Sequence, residues 1–258
     1  MKPFDCHCHL YDEQFDADLD QVIADAQKVL SGIVVVGEDP ESNRKVLALC
    51  KKHPNFLFPG LAVHPAKVHL LTEKEIDNEI KFIRKQKNLV CIGECGLDYM
   101  WAEKSGNPEE TKKRQQETFR KMIALANDMG LPVNTHSRRA APVVVKILKE
   151  CGAKKAILHG FVASISEAKE AVKLGYKITL GTKIHAWTNT KDYLNSFPLS
   201  TFVLESDAPV LGPVENERNE PKNISLVVKE IASIKKISES KVIEETNKTF
   251  REMFDAEN

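Results

Sequence analysis

A chain of 258 residues, 42% hydrophobic and 29% charged, can bury a sizeable core beneath a soluble surface, and its length suits one α/β barrel. Lysine plus arginine and aspartate plus glutamate each number 37, so the formal net charge is zero and the whole molecule is no electrostatic trap for nucleic acid; a polyanion site has to be a local patch or a metal centre. No apolar run approaches the roughly 18 residues of a membrane span, and no basic region precedes an apolar stretch at the start, so we expect no membrane partner and an intracellular, cytoplasmic protein, or a nuclear one if it is eukaryotic.

In chain order, the first apolar run is Phe4–His9 (FDCHCH), followed by a helical pattern over 17–30. Gly32–Gly37 (GIVVVG) precedes a helix over 42–52, and Leu57–His64 (LFPGLAVH) one over 73–86. Leu89–Gly96 (LVCIGECG) leads to 109–129, Pro132–Ser137 (PVNTHS) to 140–150, and Ala156–Phe161 (AILHGF) to 166–174. Tyr176–Gly181 (YKITLG) and Phe202–Asp207 (FVLESD) complete the runs, and two helices, 223–234 and 239–254, close the chain. The runs are short and rich in Val, Ile, Leu and Phe, as strands are; the stretches between them carry apolar residues at helical spacing. Eight strands alternating with helices predict a closed parallel (β/α)8 TIM barrel as a single domain over 1–258. An open doubly wound sheet gives a similar alternation, but no G-x-G-x-x-G follows the first strand. The six cysteines, Cys6, Cys8, Cys50, Cys91, Cys95 and Cys151, form no C-x-x-C pair and read as buried free thiols in a reducing compartment.

Five of eight histidines, His7, His9, His64, His136 and His159, fall at predicted C-terminal strand ends, which in a barrel share one face. His53, His69 and His185 fall in helices or loops. His7 and His9, two apart on a strand, point to one side about 6.5–7 Å apart, close enough to hold one ion; Cys6 and Cys8 then face the covering helices. Glu94 ends the fourth strand between two glycines that let backbone approach something closely, and Asp98 follows. Asp207 ends the eighth strand, with Glu205 two residues earlier on the same side. Each residue alone is ordinary; imidazoles and carboxylates recurring at the ends of strands one, four, five, six and eight are not. The mixed donors suit zinc, manganese, iron or magnesium.

With these residues in view the chain resembles the TatD-like hydrolases, a branch of the metal-dependent barrel hydrolases. The matching stretches are FDCHCHL (Phe4–Leu10), LAVHP (Leu61–Pro65), IGECGLDY (Ile92–Tyr99), LPVNTHSRRA (Leu131–Ala140), ILHGF (Ile157–Phe161) and LESDAP (Leu204–Pro209), and the resemblance runs from Phe4 to Phe254. It implies a (β/α)8 fold and metal-dependent phosphodiester hydrolysis, typically 3′-to-5′ exonuclease action on DNA, with single strands or free 3′ ends as partner. It also implies two or three divalent ions, magnesium, manganese or zinc, on His7, His9, Glu94, His136, His159 and Asp207, with Glu205 as an additional ligand. One departure is Thr249, where the family pattern leads us to expect Asn; Asn247 lies close by.

On that reading metal-activated water attacks phosphorus. Glu94 bridges two ions; His7, His9 and Asp207 hold one, and His136 and His159 the other. Asp207 also orients the water or takes its proton. His64 contacts a phosphate or protonates the leaving oxygen, and Arg138 grips a phosphate. Lys104, Lys112, Lys113 and Arg114 either track a nucleic-acid backbone or form a solvated helix face; Tyr99 and Trp101 either stack on a base or pack beneath their loop. Two rivals are a barrel hydrolase of cyclic amides and a non-catalytic metal-binding scaffold. Many of the former place a carboxylated lysine where Glu94 stands, and a structural zinc site in the latter needs only four ligands.

Overall fold

Apolar runs too short for helices and buried on both faces become parallel strands. In the computed structural model, which describes residues 1–184 and 188–254, these are β1 (Phe4–Cys8), β2 (Gly32–Val36), β3 (Leu57–Leu61), β4 (Cys91–Asp98), β5 (Val133–Arg138), β6 (Ala156–Leu158), β7 (Lys177–Leu180) and β8 (Phe202–Leu204). They pair in sequence order, each pair parallel. The seam between first and last closes through Asp207 N–H donating to the His7 carbonyl (3.0 Å) and His9 N–H to the Ala208 carbonyl (2.8 Å). The result is the (β/α)8 barrel that the alternation predicts.

The covering helices are α1 (Leu19–Val29), α2 (Pro40–Lys52), α3 (Glu73–Arg84), α4 (Tyr99–Ala102), α5 (Pro108–Met129), α6 (Ala141–Glu150), α7 (Ile165–Lys173), α8 (Thr188–Ser196), α9 (Ile224–Lys235) and α10 (Glu239–Phe254). Several start on side chains legible in the sequence: Asp39 and Ser42 cap α2, Thr72 and Glu75 cap α3, and Ser164 and Glu167 cap α7, each satisfying N–H groups that the first turn leaves free. Two helices escape a sequence reading. α4 is a single turn begun by Asp98, and α8 is spelled TNTKDYLNS, weak in helix formers and in apolar period. Packing holds α8: Tyr193 and Leu194 are buried, and the Tyr193 hydroxyl donates to the Ala163 carbonyl. His185 lies outside the described residues. Among those described, no helix is long and apolar enough to cross a membrane.

Two one-residue bulges shape the barrel. β1 pairs Asp5 with Ile33 but Cys8 with Val35, and β4 pairs Ile92 with Val133 but Cys95 with Thr135. A bulge breaks the period of two and re-aims what it carries. Cys6 therefore packs inside with Phe4, Val34, Val36 and Cys91, while Cys8 joins the strand–helix layer. The expectation that both cysteines face the helices fails for Cys6, because strict alternation cannot foresee an inserted residue. His7 and Glu94 sit in these two bulges.

The inner cluster also takes Phe250, Met253 and Phe254 from α10, with Phe250 stacked on Phe4 at 4.2 Å, so the end of α10 lies against the starts of the strands. Asn247 ties this helix to the chain's beginning by donating to the Lys2 carbonyl (2.8 Å). Thr249 bonds within the helix to the Glu245 carbonyl (3.1 Å). Replacing Phe250, 2% exposed, by alanine should cost about 3–5 kcal/mol in chemical denaturation. A loss below about 1 kcal/mol would show that α10 does not seal this end.

Candidate metal centre

At the opposite end the strand termini open into a cleft of about 700 Å³. β1 brings His7, with His9 just after it; Glu94 and His136 lie within β4 and β5, not at their ends as expected, because both strands run on as a pair to Asp98 and Arg138; His64 follows β3, His159 follows β6 and Asp207 follows β8. All five imidazoles lie within 4 Å of Glu94: the nearest nitrogens are 3.3 Å away for His7, 3.4 Å for His9, 3.5 Å for His64, 2.6 Å for His136 and 3.9 Å for His159. Asp207 reaches His9 (3.4 Å), His7 (3.7 Å) and His159 (3.8 Å). Gly96, at φ +141°, is required because a Cβ there would collide with the His136 carbonyl. The close approach that the glycines around Glu94 permit is thus to the neighbouring strand.

Hydrogen bonds on the far side of each ring fix which nitrogen faces the cluster. Asn134 donates its amide to the Cys6 carbonyl (3.0 Å), so its oxygen accepts from His7 Nδ1 (2.9 Å) and leaves His7 Nε2 bare. Glu205 accepts from His159 Nδ1 (2.7 Å). The Tyr11 hydroxyl donates to Glu38 (2.9 Å), so it can only accept from His9 Nδ1 (3.3 Å). Asp98 takes His136 Nε2 (3.1 Å) and turns Nδ1 inward. His64 differs. Its Nδ1 accepts the Ala66 N–H (3.1 Å), so the neutral ring carries its proton on Nε2, the nitrogen turned toward Glu94. Four rings therefore offer lone pairs and His64 offers a proton.

The Nε2 atoms of His7 and His9 lie 3.2 Å apart, a separation that needs a proton or a cation between them. Among the described residues, three groups bring their ligand atoms within 4.8 Å of one another: His7, Glu94 and His159; His7, His9 and Asp207; and His64, Glu94 and His136. Bare imidazole nitrogens alternating with carboxylate oxygens fit divalent ions. Without an ion the groups charge one another. Burial disfavours a charged His9, yet its hydrogen bond to Asp207 and the charges of Glu94 and Glu38 lift it to about 9. His136 rises to about 9 as Glu94 and Asp98 outweigh burial, and His159 to about 10 through Glu205 and Asp207. Burial likewise opposes ionised Glu94 and Asp207, but the surrounding imidazoles hold Glu94 well below the usual carboxylate range and lower Asp207.

The fold thus gathers His7, His9, His64, Glu94, His136, His159 and Asp207. Glu205 stands behind His159, its other oxygen taking the Gly160 N–H (3.2 Å). Arg138 is exposed at the cleft edge and makes no ion pair among the described residues, whereas Arg139 pairs with Glu103 (3.0 Å). Of the basic run, Lys112 is held by Glu109 and Arg114 by the Leu71 carbonyl and Glu73. A sequence reading misses the orienting groups Tyr11, Glu38 and Asn134. Only Asn134, a buried amide two residues before His136 in the same strand, leaves a signal.

A model of the TatD related DNase family matches residues 4–255. The chain is 36% identical over 258 residues to deoxyribonuclease TATDN3 of Homo sapiens, covering 97% of this chain and 93% of that one. It is 29% identical over 245 residues to the 3′-5′ ssDNA/RNA exonuclease TatD of a Rahnella species, covering 89% of each. The crystal structure of YJJV, a TatD homolog from Escherichia coli, superposes with a TM-score of 0.90 over 99% of this chain and 98% of that one, at 26% identity.

The charge pattern sets a pH dependence. His9, His136 and His159 are raised above 6.5, so in metal-free protein their stabilisation is complete below about pH 6.5 and fades as pH climbs through 9 to 10. Glu94 and Asp207 are depressed, so theirs holds above about pH 4.5 and is lost in acid. A divalent ion requires neutral imidazoles and must expel these protons. Calorimetric titration with manganese at pH 7 should show net proton release, with affinity rising toward pH 9. Binding that releases no proton would contradict the charged rings.

Proposed function

The chain belongs to the TatD related DNase family, and from that premise we propose that it is a divalent-metal-dependent phosphodiester hydrolase shortening DNA from its 3′ end. The observation that carries this reading is the convergence of four imidazole lone pairs with Glu94 and Asp207 on the floor of a cleft whose edge holds the exposed Arg138. We assign His7, His9, Glu94, His136, His159 and Asp207 as the residues that would hold two or three divalent ions. Glu205 serves better as the group that orients His159 than as a ligand, since its nearer oxygen already holds Nδ1. Bound ions supply Lewis acidity, lowering the pKa of water and neutralising charge on a phosphate.

The chain's own groups do the rest. Asp207, at the barrel seam, aligns the attacking water and accepts its proton. His64 presents Nε2–H to the leaving oxygen or to a phosphate oxygen. Arg138 can take a phosphate of the strand bidentately. A polynucleotide substrate agrees with the activities in the names of the human and Rahnella relatives. Single-stranded DNA or a free 3′ end is the partner we assign, in a cytoplasmic protein. The carboxylate of Glu94 within β4, where many cyclic-amide hydrolases carry a carboxylated lysine, favours phosphodiesters over the cyclic-amide alternative.

The test uses single-stranded DNA labelled at its 5′ end and protein stripped of metal. Stepwise shortening should appear only when magnesium, manganese or zinc is restored, and should vanish in Glu94→Ala and Asp207→Ala. Normal turnover by either variant, or cleavage without metal, would overturn the assignment. Asn134→Ala, which frees the His7 ring, should weaken metal binding about 10–100-fold without unfolding the protein. Unchanged affinity would mean that packing alone orients that ring.

A further inference from the structure

Large apolar side chains left exposed are few among the described residues, and three of them rim this one cleft: Trp101 (42% exposed), Val162 (54%) and Val210 (50%). The cleft therefore has a charged floor and apolar walls, with Trp101 after β4 and the two valines on the loops after β6 and β8. Resting on the function proposed above, we infer that Trp101 is the stacking platform for an unpaired nucleobase next to the scissile phosphate, and that it selects single-stranded ends. A phosphate belongs over the charged floor, within reach of Arg138 at the cleft edge. The base is the one part of a nucleotide with apolar faces, so it belongs on the walls. It can reach them only when unstacked from a duplex, and stacking on indole tolerates any base.

The neighbouring aromatic residue does not compete for this role. The Tyr99 hydroxyl is held by Gln116 (2.8 Å), and the Lys112 ammonium lies 5.3 Å over its ring. Trp101 is held at its backbone. Its N–H donates to Asp98 Oδ1 (2.7 Å), while Oδ2 of the same carboxylate holds His136 (3.1 Å). The His69 ring stands 5.6 Å from the indole and braces it. One carboxylate thus sets the distance between the apolar wall and the floor, as a platform for the nucleotide being cleaved requires.

The experiment compares wild type, Trp101→Ala and Trp101→Phe, each loaded with metal, on an ordinary single strand and on one whose last two nucleotides lack bases. Trp101→Ala should raise KM on the ordinary strand about tenfold with kcat within about twofold, and Trp101→Phe should keep most of the affinity. On the base-free strand all three should be alike. A phosphorothioate-linked strand, followed by fluorescence anisotropy, should bind Trp101→Ala about tenfold more weakly. Equal KM and equal binding, or an alanine variant equally impaired on the base-free strand, would overturn the inference. If wild type shortens no strand, the proposed function falls, while the anisotropy still decides whether Trp101 holds a base.

Discussion

Five imidazoles lie within 4 Å of a single carboxylate that is 2% exposed, and the chemistry of this barrel mouth follows from that crowding. A buried carboxylate is stable only when opposite charge or hydrogen bonds compensate it. Glu94 has two sources of compensation, protons on the rings or cations between them. The groups are arranged so that one excludes the other: a ring that is protonated cannot be a ligand. Competition between protons and ions is therefore built into the geometry.

Much of the surrounding structure holds the rings in one orientation. Asn134, Glu205, Asp98 and the Tyr11–Glu38 pair each take the outer nitrogen of one ring, so the inner nitrogen is left to face the cluster. His64 is set the other way by a backbone N–H, which gives the same side-chain type a different capability a few ångströms away. The barrel provides rigid attachment for these groups, and its two bulges turn His7 and Glu94 toward the centre. α10 closes the far end of the barrel, leaving the strand C-termini as the open face.

The eight strands were legible because each is a short apolar run, and most helices because their apolar period and caps are strong. α8 was not, since its residues favour no helix and only burial of Tyr193 and Leu194 holds it. The role of the Glu94 glycines was legible only in part: backbone approaches closely there, but what approaches is β5.

The residue types of the candidate centre, and their places in or just after the strands, follow from the sequence alone, because the apolar runs and the common direction of parallel strands are local and periodic properties. Only the tertiary structure decided which nitrogen each imidazole presents, that Glu205 stands behind His159, and that Cys6 turns inward. Those outcomes depend on partners remote in the chain, such as Asn134, 127 residues from His7, and on an inserted residue in a strand pair. Hydrogen bonds between such distant groups have no period, and they form only once the barrel has closed.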